Sequence, residues 1–195
     1  MTIPAAFEPV SDEQAARIRR RFPAVPERFS ATLDVEGVDA RGLVTPGMPR
    51  PKLDGVPIPA TSLATASTVN IIESDADAWR QTILGLDCDL CGETLARDQR
   101  VYMAAEIDPV AADWLLVRGG MHRRCFNATC HWCVHIRERL LAGTMVGCSL
   151  PYADTFNEDI FEVVDHDETD TGTHVIAEYR VRRAAVDVAW PFRGD

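Results

Sequence analysis

The sequence predicts an α+β domain, and three observations support this prediction. Capped segments typical of helices are interspersed with short runs rich in β-branched and aromatic residues, which are typical of strands. All six cysteines lie between Cys88 and Cys148, so one part of the chain is chemically distinct from the rest. The 195 residues fit one domain, or one domain with a small appendage. A chain of this length buries roughly 70% of its unfolded surface and needs no disulfides to hold a core.

Three segments are predicted along the chain. Residues 1–44 form an N-terminal segment with one helix, which Ser11 caps and Pro23 ends. Residues 45–61 contain five prolines and two glycines, a composition that excludes regular structure and predicts a linker or extended arm. Residues 62–195 form the α+β domain.

The elements of this domain follow from local patterns. Residues 74–84 have the pattern of a short capped helix, and residues 122–142 that of a longer helix that Gly143 ends. Five runs are predicted as strands: residues 69–72, 100–107, 114–118, 159–164 and 174–181. The Asp108-Pro109 turn joins the second and third runs, which therefore form a hairpin, and the turn at 165–173 separates the last two.

Composition and charge exclude several classes of protein. With 46% apolar and 26% charged residues the chain is a folded protein rather than a disordered one. The net charge of −10 argues against indiscriminate binding to DNA or anionic membranes. No apolar run approaches the length of a membrane span and the N-terminus has no secretory pattern, so we expect a cytoplasmic protein. Lys52 is the single lysine beside 19 arginines, which fits a GC-rich bacterial or phage genome.

Two ligand pairs carry the chemistry. Cys88-Asp-Leu-Cys91-Gly92 and His122-Arg-Arg-Cys125 each have two intervening residues, and the predicted hairpin lies between them. A CxxCG turn presents two thiolates from one tight knuckle, and the glycine permits a left-handed backbone there. The second pair lies at a helix start, where both side chains share one face and the helix dipole favours thiolate. These four donors suit tetrahedral Zn²⁺.

A knuckle, a β-hairpin and a helix that supplies the second pair resemble a treble-clef zinc finger over residues 88–142. The resemblance implies that Cys88, Cys91, His122 and Cys125 are the zinc ligands. This sequence departs from the family pattern at Asp89, where the knuckle of the family usually has proline. Treble clefs serve in DNA binding, protein binding, ribosome association and nuclease catalysis, so the resemblance does not select one activity.

Alternative interpretations of the cysteines remain open. A redox CxxC needs an electropositive setting, whereas acidic residues flank Cys88. Buried thiols without metal are a second alternative. In a continuous helix Cys133 lies on the buried face with Cys130 at its margin, and His131 and His135 face solvent. A second metal site is conceivable from Cys130, Cys133 and Cys148.

Three functions are compatible with these patterns. The first is a zinc-stabilised adaptor with a protein partner and no chemistry, because protein side chains fill all four ligand positions. Its binding anchors are expected in the 45–61 arm and in Trp190-Pro-Phe192, unless these pack on the core. The second is nucleic-acid binding through the arginines around the zinc helix: Arg118, Arg123, Arg124, Arg137 and Arg139. The third is an enzyme, most specifically a treble-clef nuclease. We expect no catalytic residues, because His122 is already used for zinc.

Overall fold

The structure is a computed structural model, and it describes residues 7, 9–21, 52–53, 56–57, 59–64, 69–95, 99–117, 119–165 and 177–190. A six-stranded antiparallel sheet with helices on both faces confirms the predicted α+β class. The helices are α1 (Asp12–Arg21), α2 (Ala76–Gly85), α3 (Arg123–Trp132) and α4 (Val134–Leu141). Two 3₁₀ turns span Tyr152–Phe156 and Arg183–Ala185.

The described residues contain ten strands, which form three sheets. The six-stranded sheet contains β5 (Arg100–Ile107), β6 (Trp114–Val117), β7 (Val146–Pro151), β8 (Phe161–Asp165), β9 (Ala177–Arg182) and β10 (Asp187–Trp190). Its order is β10-β7-β5-β6-β9-β8, so the predicted β5–β6 hairpin lies at its centre. Two small ribbons pair β1 (Lys52–Leu53) with β2 (Val56–Pro57) and β3 (Ser62–Ala64) with β4 (Val69–Ser74).

One face of the sheet carries the larger apolar core. Side chains alternate along a strand, and seven buried residues share this face: Val101, Met103, Ala105, Leu115, Val117, Tyr179 and Val181. Helix α2 covers it: the hydroxyl of the fully buried Tyr179 donates to the carbonyl oxygen of Ile83 at 2.8 Å. Burial raises the pKa of Tyr179, so this hydroxyl remains a donor at neutral pH.

The opposite face packs against α3. The ring of Phe126 lies 5.9 Å from that of Tyr102 on β5. At Gly147 on β7 a Cβ atom would approach Phe126 Cζ to 2.8 Å and Trp190 Cβ to 2.4 Å. Glycine is therefore needed at this position so that the two aromatic residues can pack over the strand.

Most predicted elements are confirmed, with small changes at their ends. Ser11 accepts a hydrogen bond from the Gln14 amide at the start of α1, as expected. Helix α2 is capped by Asp75, whose carboxylate accepts from the Ala78 amide. Strands β7 and β10 have no counterpart in the prediction. The turn at 166–173 and the start of the last predicted strand lie outside the described residues.

The prediction of one continuous helix over 122–142 is wrong. The chain leaves helical geometry at Cys133, with φ −78° and ψ 106°, and α4 begins at the next residue. Trp132, Cys133 and Val134 are all weak helix formers. The buried guanidinium of Arg137 donates to the carbonyl oxygen of His131 at 3.2 Å, which satisfies this acceptor at the break.

The exclusion of regular structure from 45–61 is also wrong. Lys52 and Leu53 pair with Pro57 and Val56 in a minimal antiparallel ribbon. Asp54-Gly55 between them is a strong hairpin dipeptide. Pro57 is tolerated because a two-stranded ribbon has only edge strands. The rest of this arm, apart from residues 59–61, lies outside the described residues.

Helix α1 contacts the domain through α4. The amide of Val10 donates to the carbonyl oxygen of Leu141 at 3.1 Å, and Arg19 pairs with Glu138 at 2.5 Å. In the described part of the chain, none of the helices combines the length and apolar composition that crossing a membrane requires.

Candidate metal centre

The first ligand pair lies on a tight knuckle between α2 and β5. The amide of Gly92 donates to the carbonyl oxygen of Cys88 at 2.7 Å and closes the turn. Gly92 has φ +70°, which confirms the predicted need for glycine at this position. The amide of Cys88 donates to the carbonyl oxygen of Glu93 at 2.8 Å, so both ends of the knuckle are fixed.

The second pair lies at the start of α3. His122 is the N-cap residue and Cys125 lies in the first helical turn, where the orphan backbone amides favour negative charge. The segment before α3 pairs with the knuckle: the amide of Asp89 donates to the carbonyl oxygen of Gly120 at 2.9 Å. This pairing brings the two ligand pairs together across 30 intervening residues.

The geometry of the four side chains fits one tetrahedral ion. The ligand atoms of Cys88, Cys91, His122 and Cys125 all lie within 4.8 Å of one another. Cys91 Sγ and His122 Nδ1 are 3.4 Å apart, against an S–N edge of about 3.5 Å for tetrahedral Zn²⁺ with bonds of about 2.3 and 2.0 Å. The three cysteines are buried and the histidine is half-buried. The donor set and its spacing fit Zn²⁺.

The electrostatics of the cluster favour a cation. Hydrogen bonds to Cys88 and Cys91, together with burial, raise the pKa of Cys125. The pKa of Cys91 is lowered by hydrogen bonds with Cys125 and Cys88, and the backbone amide of Glu93 acts in the same direction. Crowded thiols that share protons in this way bind a dication with proton release, so metal affinity rises with pH.

Residues 59–62, here called the strap, connect the end of the 45–61 arm to the knuckle through two hydrogen bonds. The Thr61 hydroxyl donates to Asp89 Oδ1 at 3.1 Å, and the Ala60 amide donates to the carbonyl oxygen of Leu90 at 2.9 Å. Thr61 and Ser62 are both only 3% exposed. Burial raises the pKa of Asp89 to about 6, and the hydrogen bond from Thr61 opposes this shift. Asp89 thus binds residues 59–62 to the knuckle.

Thr61→Val is expected to loosen the strap without removing the metal. The substitution keeps the shape of the buried side chain and removes the donor to a buried carboxylate, a loss of about 1.5 kcal/mol. We expect amide hydrogen exchange at Ala60 to accelerate about tenfold, measured by mass spectrometry on the zinc-loaded protein. Thr94→Val, at an exposed threonine of the same knuckle, is the control. Equal protection in both variants would contradict the tether.

The remaining cysteines do not join the cluster. Within the described residues, the four ligands form the one group of three or more metal-binding side chains. The break at Cys133 reverses the predicted burial: Cys130 is fully buried and Cys133 is half-buried. Cys148 pairs with Met103 and so points to the opposite face of the sheet from α3. Burial raises the pKa of all three thiols, to about 12 for Cys148.

The arginines predicted to contact nucleic acid have different surroundings. Arg137 is 2% exposed and donates to the carbonyl oxygen of His131, and this burial disfavours the predicted contact. Arg139 pairs with Glu106 and Arg124 with Glu93. Arg123 is exposed at the start of α3, and Arg118 lies outside the described residues. Nothing in the sequence pattern indicated that Arg137 would hydrogen-bond to the backbone at the break between α3 and α4.

Trp190, expected as a partner anchor, is instead 4% exposed and packs over Gly147. Phe192 lies outside the described residues. Of the two solvent-facing histidines predicted on the zinc helix, His135 is exposed and His131 is half-buried.

Comparisons of this chain with protein-family models, curated proteins and solved structures return no match. The site's own geometry therefore carries the functional argument.

Proposed function

We propose that this protein is a zinc-stabilised binding protein whose treble-clef unit, residues 88–142, is a scaffold for contacts with a protein partner. One observation supports the proposal: four protein side chains bring their ligand atoms within 4.8 Å of one another, which is the number of donors that closes a tetrahedral coordination sphere. A closed sphere is typical of structural zinc, whereas catalytic zinc keeps a position for water. The order of knuckle, β5–β6 hairpin and α3 supports the treble-clef assignment.

Trp114 is the better candidate for a partner anchor now that Trp190 is assigned to the core. It is half-buried on β6, and the guanidinium carbons of Arg182 and Arg180 lie 4.2 and 5.5 Å from the centre of its ring. Tryptophan and arginine are the residue types most enriched among interface hot spots. The carboxylates of Asp113 and Asp108 hold the two arginines in place.

The test is affinity capture of the tagged full-length protein from its host, with and without nuclease treatment. We expect the captured proteins to remain after nuclease treatment. With Trp114→Ala the amount of captured protein should fall at least fivefold, while zinc content stays at one equivalent. Phe156→Ala, which removes an aromatic side chain that is 63% exposed elsewhere on the surface, is the matched control. Capture that is insensitive to Trp114→Ala would contradict this surface.

Nucleic-acid binding is the second candidate, supported by the exposed arginines in the first turn of α3. Arg123 and Arg124 lie beside backbone amides that favour anions. The pairing of Arg124 with Glu93 and the net charge of −10 oppose it. Loss of all captured material after nuclease treatment would favour this candidate over the protein partner. A treble-clef nuclease needs a catalytic histidine at the end of the hairpin in addition to the zinc ligands. Within the described residues the histidine in that place is His122, which is already assigned to zinc here.

A further inference from the structure

Glu93 is placed beside the metal cluster without belonging to its four ligands. Its Oε2 atom lies 3.8 Å from Cys91 Sγ, and its backbone carbonyl accepts from the Cys88 amide. The three thiols have at most 1% exposure, whereas the Glu93 side chain is 44% exposed. The carboxylate therefore reaches from water to the edge of a buried cluster.

Arg124 holds this carboxylate in place but only loosely. Its Nη2 atom lies 3.7 Å from Glu93 Oε2, and its side chain is 64% exposed. An exposed ion pair at this distance contributes little to stability, and either side chain rotates away at low cost. The carboxylate is thus available to an arriving cation.

Resting on the proposed metal centre, we infer that Glu93 is the entry and exit ligand through which Zn²⁺ passes between solvent and the buried thiolates. The Glu93 carboxylate would replace one water of a hydrated dication. Cys91, whose Sγ lies 3.8 Å from Glu93 Oε2, and then the other three ligands would take over the ion, and each thiol would release its proton to water as it binds. On exit the carboxylate replaces a departing ligand, so the ion is never stripped of donors in the buried site.

Glu93→Gln is expected to slow zinc exchange in both directions. The amide keeps the size of the side chain but removes the charge that would stabilise the ion midway between solvent and the thiolates. Charge at a cleft raises association rates 10-fold or more, and because entry and exit would share this midway position, we expect release to slow about 5- to 20-fold. Equilibrium affinity should stay within about threefold because entry slows equally.

The experiment follows zinc transfer from the zinc-loaded full-length protein to an excess of chromophoric chelator by absorbance. Glu158→Gln, which removes the same charge from an exposed loop residue before β8, is the control and should match wild type. Arg124→Gln should accelerate release, and this effect should vanish when combined with Glu93→Gln, as a double-mutant cycle detects.

Whether Glu93→Gln makes zinc release slower or faster distinguishes the possible roles of Glu93. If Glu93 only stabilises the knuckle, Glu93→Gln loosens the site and release becomes faster, which would overturn the entry role. An unchanged rate would overturn it as well. Wild-type protein that holds no zinc before the chelator is added would refute the metal centre itself, a failure distinct from that of Glu93.

Discussion

Cys88→Ser is expected to release the zinc and unfold the 88–142 unit. Cys88 is fully buried, and its amide and side chain both belong to the knuckle. A structural zinc site contributes on the order of 10 kcal/mol to such a unit, which equals the whole stability of a typical domain. Zinc content by atomic emission should fall from one equivalent to near zero, and the cooperative thermal transition should be lost or shifted by tens of degrees.

Cys148→Ser is the matched control for this experiment. Cys148 is equally buried but is not one of the four clustered ligands, and it lies on the face of the sheet opposite α3. It should retain one zinc and lose about 1–3 kcal/mol, because a hydroxyl replaces a small apolar group in the core. Less than about half an equivalent of zinc in reduced wild-type protein would refute the site, and so would full zinc retention by Cys88→Ser.

The metal cluster could be predicted from the sequence because its signals are local. Two CxxC-type spacings and Gly92 specify the knuckle and the helix start without knowledge of the fold. The hairpin of β5 and β6 was equally accessible, since alternation and the Asp108-Pro109 turn are encoded within 18 residues.

The features that sequence patterns missed depend on distant contacts. Strand β7 contains Gly147 and Cys148, which weaken a strand pattern, and it is held by pairing with β5 and β10 on either side. The helix break at Cys133 depends on a buried guanidinium four residues later. The strap at Thr61 depends on Asp89, which is 28 residues away. Such tertiary contacts override local propensity and produce no periodic pattern of residues in the sequence.

Trp190 shows how the same limit affects the assignment of function. The sequence pattern around Trp190 is equally compatible with an exposed binding anchor and with a core residue. Its burial in the fold distinguishes the two roles. Here it belongs to β10, an edge strand on which Val188 is 72% exposed whereas Trp190 is 4% exposed. The buried indole therefore adds to the β7 pairing that holds this edge strand in the sheet.

Trp190→Ala is accordingly expected to destabilise the domain by about 3–5 kcal/mol while the folded fraction keeps its partner. Trp190 is 4% exposed, and its Cβ atom lies with Phe126 Cζ over Gly147, so truncation removes a buried indole and opens a cavity beside the strand. Chemical denaturation measures the loss, and capture from the host at low temperature measures binding by the surviving folded protein. Trp114→Ala should give the opposite result, near wild-type stability with capture lost, because its half-buried ring packs against two arginines of β9 rather than in the core. Wild-type stability with lost capture in Trp190→Ala would instead place the partner on the β10 edge.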